Sequence, residues 1–224
     1  MTPSQIPLSF PHRPTYEEAD FLAAPSNEAA RGWLKETSKW PELRLVLWGE
    51  AGCGKTHLLH IWSRRLGATA LAAQALDRLP QLPETGGVAI DDADRAASEP
   101  VLLHLLNLLR EARRPLLLAS RLAPARWSVR LPDLASRLRA ITAVEIHPPG
   151  DLLLRSLFLR LLADRQLAIR PPLQAWLLAR LPRSPAALRE AVGRLDQAAL
   201  ASGRAVTRPL AARALATMIG GEWE

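Results

Sequence analysis

Gly49-Glu50-Ala51-Gly52-Cys53-Gly54-Lys55-Thr56 fits the pattern G-x-x-x-x-G-K-[ST] at every position. It follows Leu43–Trp48, a short apolar run that reads as a buried strand. It opens Lys55–Leu66, where Leu58, Leu59 and Trp62 fall at helical spacing. A helix N-terminus leaves backbone N–H groups unpaired, and these can face an anion. Gly49, Gly52 and Gly54 allow the backbone to wrap closely around phosphate oxygens. Lys55 is a flexible point charge suited to the β and γ oxygens, and the Thr56 hydroxyl suits Mg²⁺. Of 29 basic residues only three are Lys (Lys35, Lys39, Lys55), so a Lys at this place carries information. Cys53 and His57 belong to the same loop and first helical turn and are counted with the nucleotide site.

Working outward, Val88-Ala89-Ile90-Asp91-Asp92 is an apolar run ending in carboxylates, roughly 35 residues after the loop. Asp91 is the candidate metal-side carboxylate and Asp92 the candidate for polarising a hydrolytic water. Asp94 reads as a solvated turn carboxylate. Ser120 ends another apolar run, Pro115–Ala119, either to read a γ-phosphate or to form the turn.

The remaining pattern alternates. A helix from Ser26 or Asn27 to about Thr37, a strand at Thr69–Ala72, a helix at Pro100–Ala112, a helix at Leu131–Arg139 and a strand at Thr142–Ile146 are expected. His147-Pro148-Pro149-Gly150 breaks the chain. After it only helices are expected: Asp151–Gln166, Pro171–Leu181, Ser184–Ser202 and Pro209–Ile219. The fold class is therefore α/β, a P-loop domain with a parallel sheet between helices, followed by a small all-helical domain. The divisions expected are an extended tail over 1–14, the nucleotide-binding domain over 15–147 and a helical lid domain over 148–224.

Composition bounds the class. With 224 residues, 48% of them hydrophobic, the chain can bury a core. A single cysteine argues for a reducing compartment. The N-terminus lacks the charged start and apolar core of a signal peptide. Val101–Leu109 and Leu116–Ala119 fall well short of the roughly 20 apolar residues of a membrane span, so a cytoplasmic location is expected. The net charge of +7 is uneven, with 10 basic and 13 acidic residues up to position 100 and 19 basic and 9 acidic beyond. The basic half suits nucleic acid, an acidic partner or phosphate, or is simply a solvated arginine-rich surface.

The stretch from Gly49 to His60 resembles the phosphate loop of the DnaA-type replication initiators, and Ile90-Asp91-Asp92 resembles their strand ending. Leu131-Pro132-Asp133-Leu134-Ala135-Ser136-Arg137-Leu138 resembles the arginine-finger region of the Hda-type regulators within the same AAA+ family. Gln5-Ile6-Pro7-Leu8-Ser9-Phe10 is similar to their sliding-clamp peptide. In such a peptide Gln5 bonds at the rim of an apolar groove while Leu8 and Phe10 enter it beside Ile6, and proline stiffness keeps the entropy cost low. The resemblance spans about Phe21 to Ile219. It implies an AAA+ protein holding ADP or ATP with Mg²⁺, working with DnaA and the clamp and able to form a homodimer. Arg137 would act in trans on ATP bound to DnaA, converting the initiator to its ADP form. The chain's stop at Glu224, without a helix-turn-helix domain, implies no sequence-specific DNA binding of its own.

Two positions depart from the initiators. Ala186 stands where the third lid helix usually carries a nucleotide-touching arginine, and neither Arg183 nor Arg189 is in register. This implies a chain that holds nucleotide as a conformational ligand, with little or no turnover of its own. Asp133 stands where initiators carry a second arginine four residues before the finger. The competing expectation is an AAA+ ATPase acting as a helicase loader or clamp-loader-like factor. A nucleic-acid module is disfavoured, because Trp33, Trp48, Trp62 and Trp176 read as core rather than as stacking platforms.

Overall fold

The computed structural model describes residues 16–82 and 86–219. The tail and its Gln5, Ile6, Leu8 and Phe10 lie outside the described residues. The chain forms two compact units, one ending at Pro148 and the other running from Pro149.

The first unit is an α/β sandwich. Its strands are β1 (Arg44–Trp48), β2 (Thr69–Ala72), β3 (Val88–Asp91), β4 (Leu116–Ser120) and β5 (Thr142–Glu145). Its α-helices are α1 (Glu28–Lys35), α2 (Lys55–Leu66), α3 (Glu99–Glu111) and α4 (Pro132–Ala140). The sheet order is β2-β3-β4-β1-β5 and every pairing is parallel. β1 is central, with Trp48 level with both Ser120 and Glu145. Strand alternation sends Leu45 and Leu47 to one face and Val46 to the other. The first face packs under α1 and α2 through Ala30, Leu34, Leu58, Leu59 and Trp62. The second packs under α3 and α4 through Leu102, Leu105, Leu109, Leu134 and Leu138. A central strand sealed on both faces explains why Leu45–Trp48 is apolar at every position.

Several element ends differ from the sequence reading. Ser98 caps α3, accepting from Val101 N at 3.5 Å, so the helix begins one residue before Pro100. Asn27 stands before α1 as expected, but its side chain does not cap that helix. It is buried, accepts from Ala24 N at 3.1 Å and donates Nδ2 to Leu22 O at 3.0 Å, which secures the preceding loop instead. Short 3-10 turns at Pro25–Asn27, Thr37–Lys39 and Pro41–Leu43 surround α1 and lead into β1.

The second unit holds α5 (Asp151–Asp164), α6 (Pro171–Leu178), α7 (Pro185–Ser202) and α8 (Arg208–Ala214). Leu154, Phe158 and Leu162 of α5 meet Leu188, Val192 and Leu195 of α7 in its core. Ser184 and Thr207 cap α7 and α8, and Gly203 (φ +61°) closes α7. Arg165 pairs with Asp196 at 3.2 Å between α5 and α7. Trp176 packs against this core with the Arg180 and Arg208 guanidiniums 4.8 and 5.0 Å from its ring centroid. α8 is shorter than expected: it ends at Ala214, and turns carry Leu215 and Ile219 into the core. Among the described residues no helix is long and apolar enough to cross a membrane.

Trp62 is the largest fully buried side chain. It stacks on Trp40 at 5.3 Å between centroids and donates Nε1 to Thr37 Oγ1 at 3.0 Å. Trp62→Ala should therefore cost about 3–5 kcal/mol. Urea denaturation followed by far-ultraviolet circular dichroism checks this, and a loss below about 1 kcal/mol would contradict the packing described.

Candidate nucleotide site

The loop after β1 leaves the carboxyl end of the central strand, where parallel α/β sheets place their ligand crevices. Its three glycines all have positive φ: Gly49 +152°, Gly52 +81° and Gly54 +106°. A Cβ on Gly49 would collide with the Ile146 carbonyl. A Cβ on Gly54 would lie 3.1 Å from the Phe21 ring. The glycines thus let the loop turn beneath Ile146 and lie against Phe21. The loop is also pinned to the sheet edge, since Gly49 N donates to Ser120 O at 3.3 Å.

Lys55 opens α2 and is buried. Its Nζ donates to Gly49 O at 2.7 Å and Glu50 O at 2.8 Å, with Cys53 Sγ at 3.7 Å. The ammonium is thus folded back over the loop itself. Burial pushes the Cys53 thiol above its ordinary pKa, against the opposing pull of Lys55. A thiol kept neutral is a packing group here, not a nucleophile.

Thr56 Oγ1 donates to Asp91 Oδ2 at 2.7 Å. This joins the first turn of α2 to the end of β3. Asp91 Oδ1 accepts from Asp92 N at 3.1 Å, and Asp92 itself is left-handed (φ 50°, ψ 41°). Hydroxyl and carboxylate oxygens form a hard donor set suited to Mg²⁺. Among the described residues no group of three His, Cys, Asp or Glu side chains forms a metal cage. A cation here would draw its remaining oxygens from phosphate and water. The glycine cradle, the helix N-terminus and this oxygen pair fit a Mg²⁺-nucleotide.

Other candidates have partners of their own. Ser120 is fully buried and donates Oγ to Leu122 O at 2.7 Å, the turn-forming bond. His57 contacts Glu17 O through Nε2 at 2.8 Å and meets Tyr16 and Phe21 edge-on. His60 stacks on Tyr16 at 4.5 Å. Its pKa is lowered by burial, opposed by Asp91 and assisted by Arg64. Sequence reasoning missed this covering segment of Tyr16, Glu17 and Phe21, because its contacts with α2 span about 40 positions. Asp94 is half-buried rather than solvated: Oδ2 accepts from Arg121 N at 3.3 Å, while Oδ1 is buried without a hydrogen-bond partner.

Arg137 lies elsewhere, on α4. Its side chain is 34% exposed and its Nε donates to Asp133 Oδ1 at 3.0 Å, one helical turn away. It shares a pocket with Arg44, the first residue of β1. Arg137 therefore belongs to the amino end of the strands and the phosphate loop to the carboxyl end. Ala186 is in the first turn of α7, in the second unit.

The chain's structure is similar to domain III of the Thermotoga maritima replication initiation protein DnaA. The match has a TM-score of 0.79 and 20% identity, and covers 95% of this chain and 100% of that one. The chain has the AAA+ fold. AMPPCP-bound DnaA from Aquifex aeolicus matches with a TM-score of 0.65 at 18% identity, over 80% of this chain and 64% of that one. Thermotoga maritima RuvB, a Holliday junction branch migration motor, matches with a TM-score of 0.65 at 16% identity, over 85% and 68%. In sequence, the chain is 29% identical over 201 residues to an uncharacterised protein of Haemophilus influenzae, covering 81% of this chain and 85% of that protein. No family model matches.

Removing the Lys55 charge in Lys55→Ala should weaken ATP and ADP binding by about 2–5 kcal/mol, roughly 30-fold or more. Lys55→Arg should fail nearly as badly, because a planar fork cannot occupy the tight turn between Gly49 O and Glu50 O. Titration with a fluorescent adenine nucleotide reads both. Unchanged affinity in Lys55→Arg would refute the point-charge argument.

Proposed function

We propose that this chain is a nucleotide-bound AAA+ regulator of DNA replication initiation that stimulates ATP hydrolysis by a DnaA-type initiator. The observation that carries the reading is the separation of Arg137 from the chain's own phosphate loop. The two lie at opposite ends of β1, whose five residues span roughly 16 Å. A guanidinium so far from its own loop does not reach a phosphate held there, which supports action on a phosphate held by another molecule. The likeness to DnaA domain III supports a partner built on the same plan.

Each residue has a part in this reading. Gly49, Gly52, Cys53, Gly54 and His57 frame the phosphates with backbone and first-turn N–H groups. Lys55 exchanges its carbonyl partners for phosphate oxygens. Thr56 and Asp91 hold Mg²⁺, directly and through water. Asp92 borders the γ-phosphate, and Ser120 would join it only by releasing its bond to Leu122 O. The bound nucleotide, ADP or ATP, orders the unit that carries α4. Arg137 leaves Asp133 and stabilises charge on the phosphoryl group transferring in the partner. Gln5, Ile6, Leu8 and Phe10 tether the chain to the sliding clamp on DNA, which raises the effective concentration of Arg137 near the initiator. A homodimer would use the same faces.

A second reading is a helicase or clamp-loader-like factor hydrolysing its own ATP, and the likeness to RuvB favours it. One experiment separates the two: single-turnover hydrolysis of ATP prebound to a DnaA-type initiator, with clamp loaded on DNA. The intact chain should accelerate hydrolysis, and Arg137→Ala should lose about a thousandfold of that acceleration. A Gln5→Ala, Leu8→Ala, Phe10→Ala variant should need far more protein for the same rate. Equal rates with and without the chain, beside steady turnover by the chain alone, would favour the motor.

A further inference from the structure

At the amino end of the sheet a pocket of about 370 Å³ is lined by Arg44, Arg110, Arg137, Glu42 and Ser136, with Leu106 and Ile141 among its apolar walls. Its buried charge is Arg44, which is 4% exposed. Arg44 Nη1 donates to Arg114 O at 2.6 Å and Leu43 O at 3.2 Å, and Nη2 donates to Leu106 O at 3.4 Å. These carbonyls occupy three of the five N–H donors of a guanidinium. Leu106 and Arg114 lie in and just beyond the end of α3, so the helix dipole offsets part of the charge.

Among the described residues no carboxylate lies within 4.0 Å of Arg44. Glu42 faces Arg110 at 3.7 Å, and Asp133 faces Arg137. Burial lowers the Arg44 pKa to about 10, with Glu42 opposing and Arg110 adding to the effect. Dipoles solvate this buried cation, and Glu42 acts on it only from beyond ion-pair distance.

A second observation lies at the rim. Glu42 (φ 49°) and Leu43 (φ 59°) are consecutive non-glycine residues in the left-handed region. Strain of this kind is held where surrounding structure enforces it, and it clusters at ligand sites. Here it turns the chain so that Arg44 enters the pocket while Glu42 stays mostly exposed.

We propose that this pocket binds a small organic oxyanion, its phosphate or carboxylate head between Arg44, Arg110 and Arg137 and its apolar body against Leu106 and Ile141. Guanidiniums bind both heads through paired N–H donors, and the volume suits a small molecule. Ser136 adds a hydroxyl at the mouth. The occupant would draw Arg137 away from Asp133, tying the availability of this arginine to a metabolite. Binding itself does not rest on the regulator reading.

Calorimetric titration with phenyl phosphate and with benzoate, each with and without saturating ADP, tests the proposal. Saturable binding of either probe is expected below about 10 mM, unaffected by ADP, with inorganic phosphate weaker for want of an apolar body. The two probes distinguish a phosphate head from a carboxylate head. Arg110→Glu and Ser136→Glu should each weaken binding at least about tenfold. Both positions are exposed enough to spare the fold, unlike Arg44. The proposal is overturned if neither probe saturates, if both variants bind as the intact chain does, or if ADP displaces the probe. A chain that bound the probe but gave no heat with ADP would leave this pocket standing and sink the nucleotide reading alone.

Discussion

The constraint on which the α/β unit depends is the double pairing of β1. It bonds β4 on one side and β5 on the other, and both of its faces are sealed by helices. A strand held this way cannot slip in register without moving Leu45 and Leu47 out of one core and Val46 out of the other. Its two ends are therefore fixed points. At the carboxyl end the chain must leave beneath the Ile146 carbonyl, where no Cβ fits, so Gly49 begins the phosphate loop. At the amino end Arg44 must enter beside the end of α3, so its charge is matched to the carbonyls of Leu106 in α3 and Arg114 beyond it.

The same constraint distributes chemistry across the sheet. Asp91 ends β3 and the loop ends β1, with β4 between them. The Thr56–Asp91 hydrogen bond crosses that gap and joins two chain segments 35 positions apart. It presents hydroxyl and carboxylate oxygens side by side, the arrangement a hard cation needs. Arg137 and Arg44 gather at the opposite pole. A single rigid element thus separates a basic pocket at one end from an anion cradle at the other, and no side chain reaches both.

Much of this was legible in the sequence because it follows from local rules. The phosphate loop, the strand ending at Asp91, the alternation of strands and helices and the helical second unit all depend on spacing over a few residues. Helix starts were legible at Ser184 and at Asn27, although the Asn27 side chain secures the preceding loop instead of the helix, which no local pattern reveals. The sheet order was not legible, because it is set by which apolar faces meet at long range. Nor was the burial of Arg44, which looks like one of 26 arginines until α3 and β4 close around it. The Tyr16–Phe21 segment lacks any period, and its place over α2 rests on ring contacts and on hydrogen bonds from His57 and Arg64 that no local pattern encodes.

The contrast between Lys55 and the arginines shows how charge type follows site geometry. At the loop the cation must sit inside a turn, pair with two carbonyls 2.7 and 2.8 Å away and still be free to re-aim toward a ligand. A compact ammonium on a flexible stem meets all three demands. At the amino pole the cation must span the carbonyls of Leu43, Leu106 and Arg114, and the guanidinium fork does that with donors to spare. The chain uses Arg at 26 of its 29 basic positions, and of its three lysines Lys55 is the one at the phosphate loop. That choice reads the site more sharply than the glycines around it, since glycine serves many turns while a buried lysine at a helix N-terminus, facing two carbonyls and a thiol but no carboxylate, is placed to meet an anion.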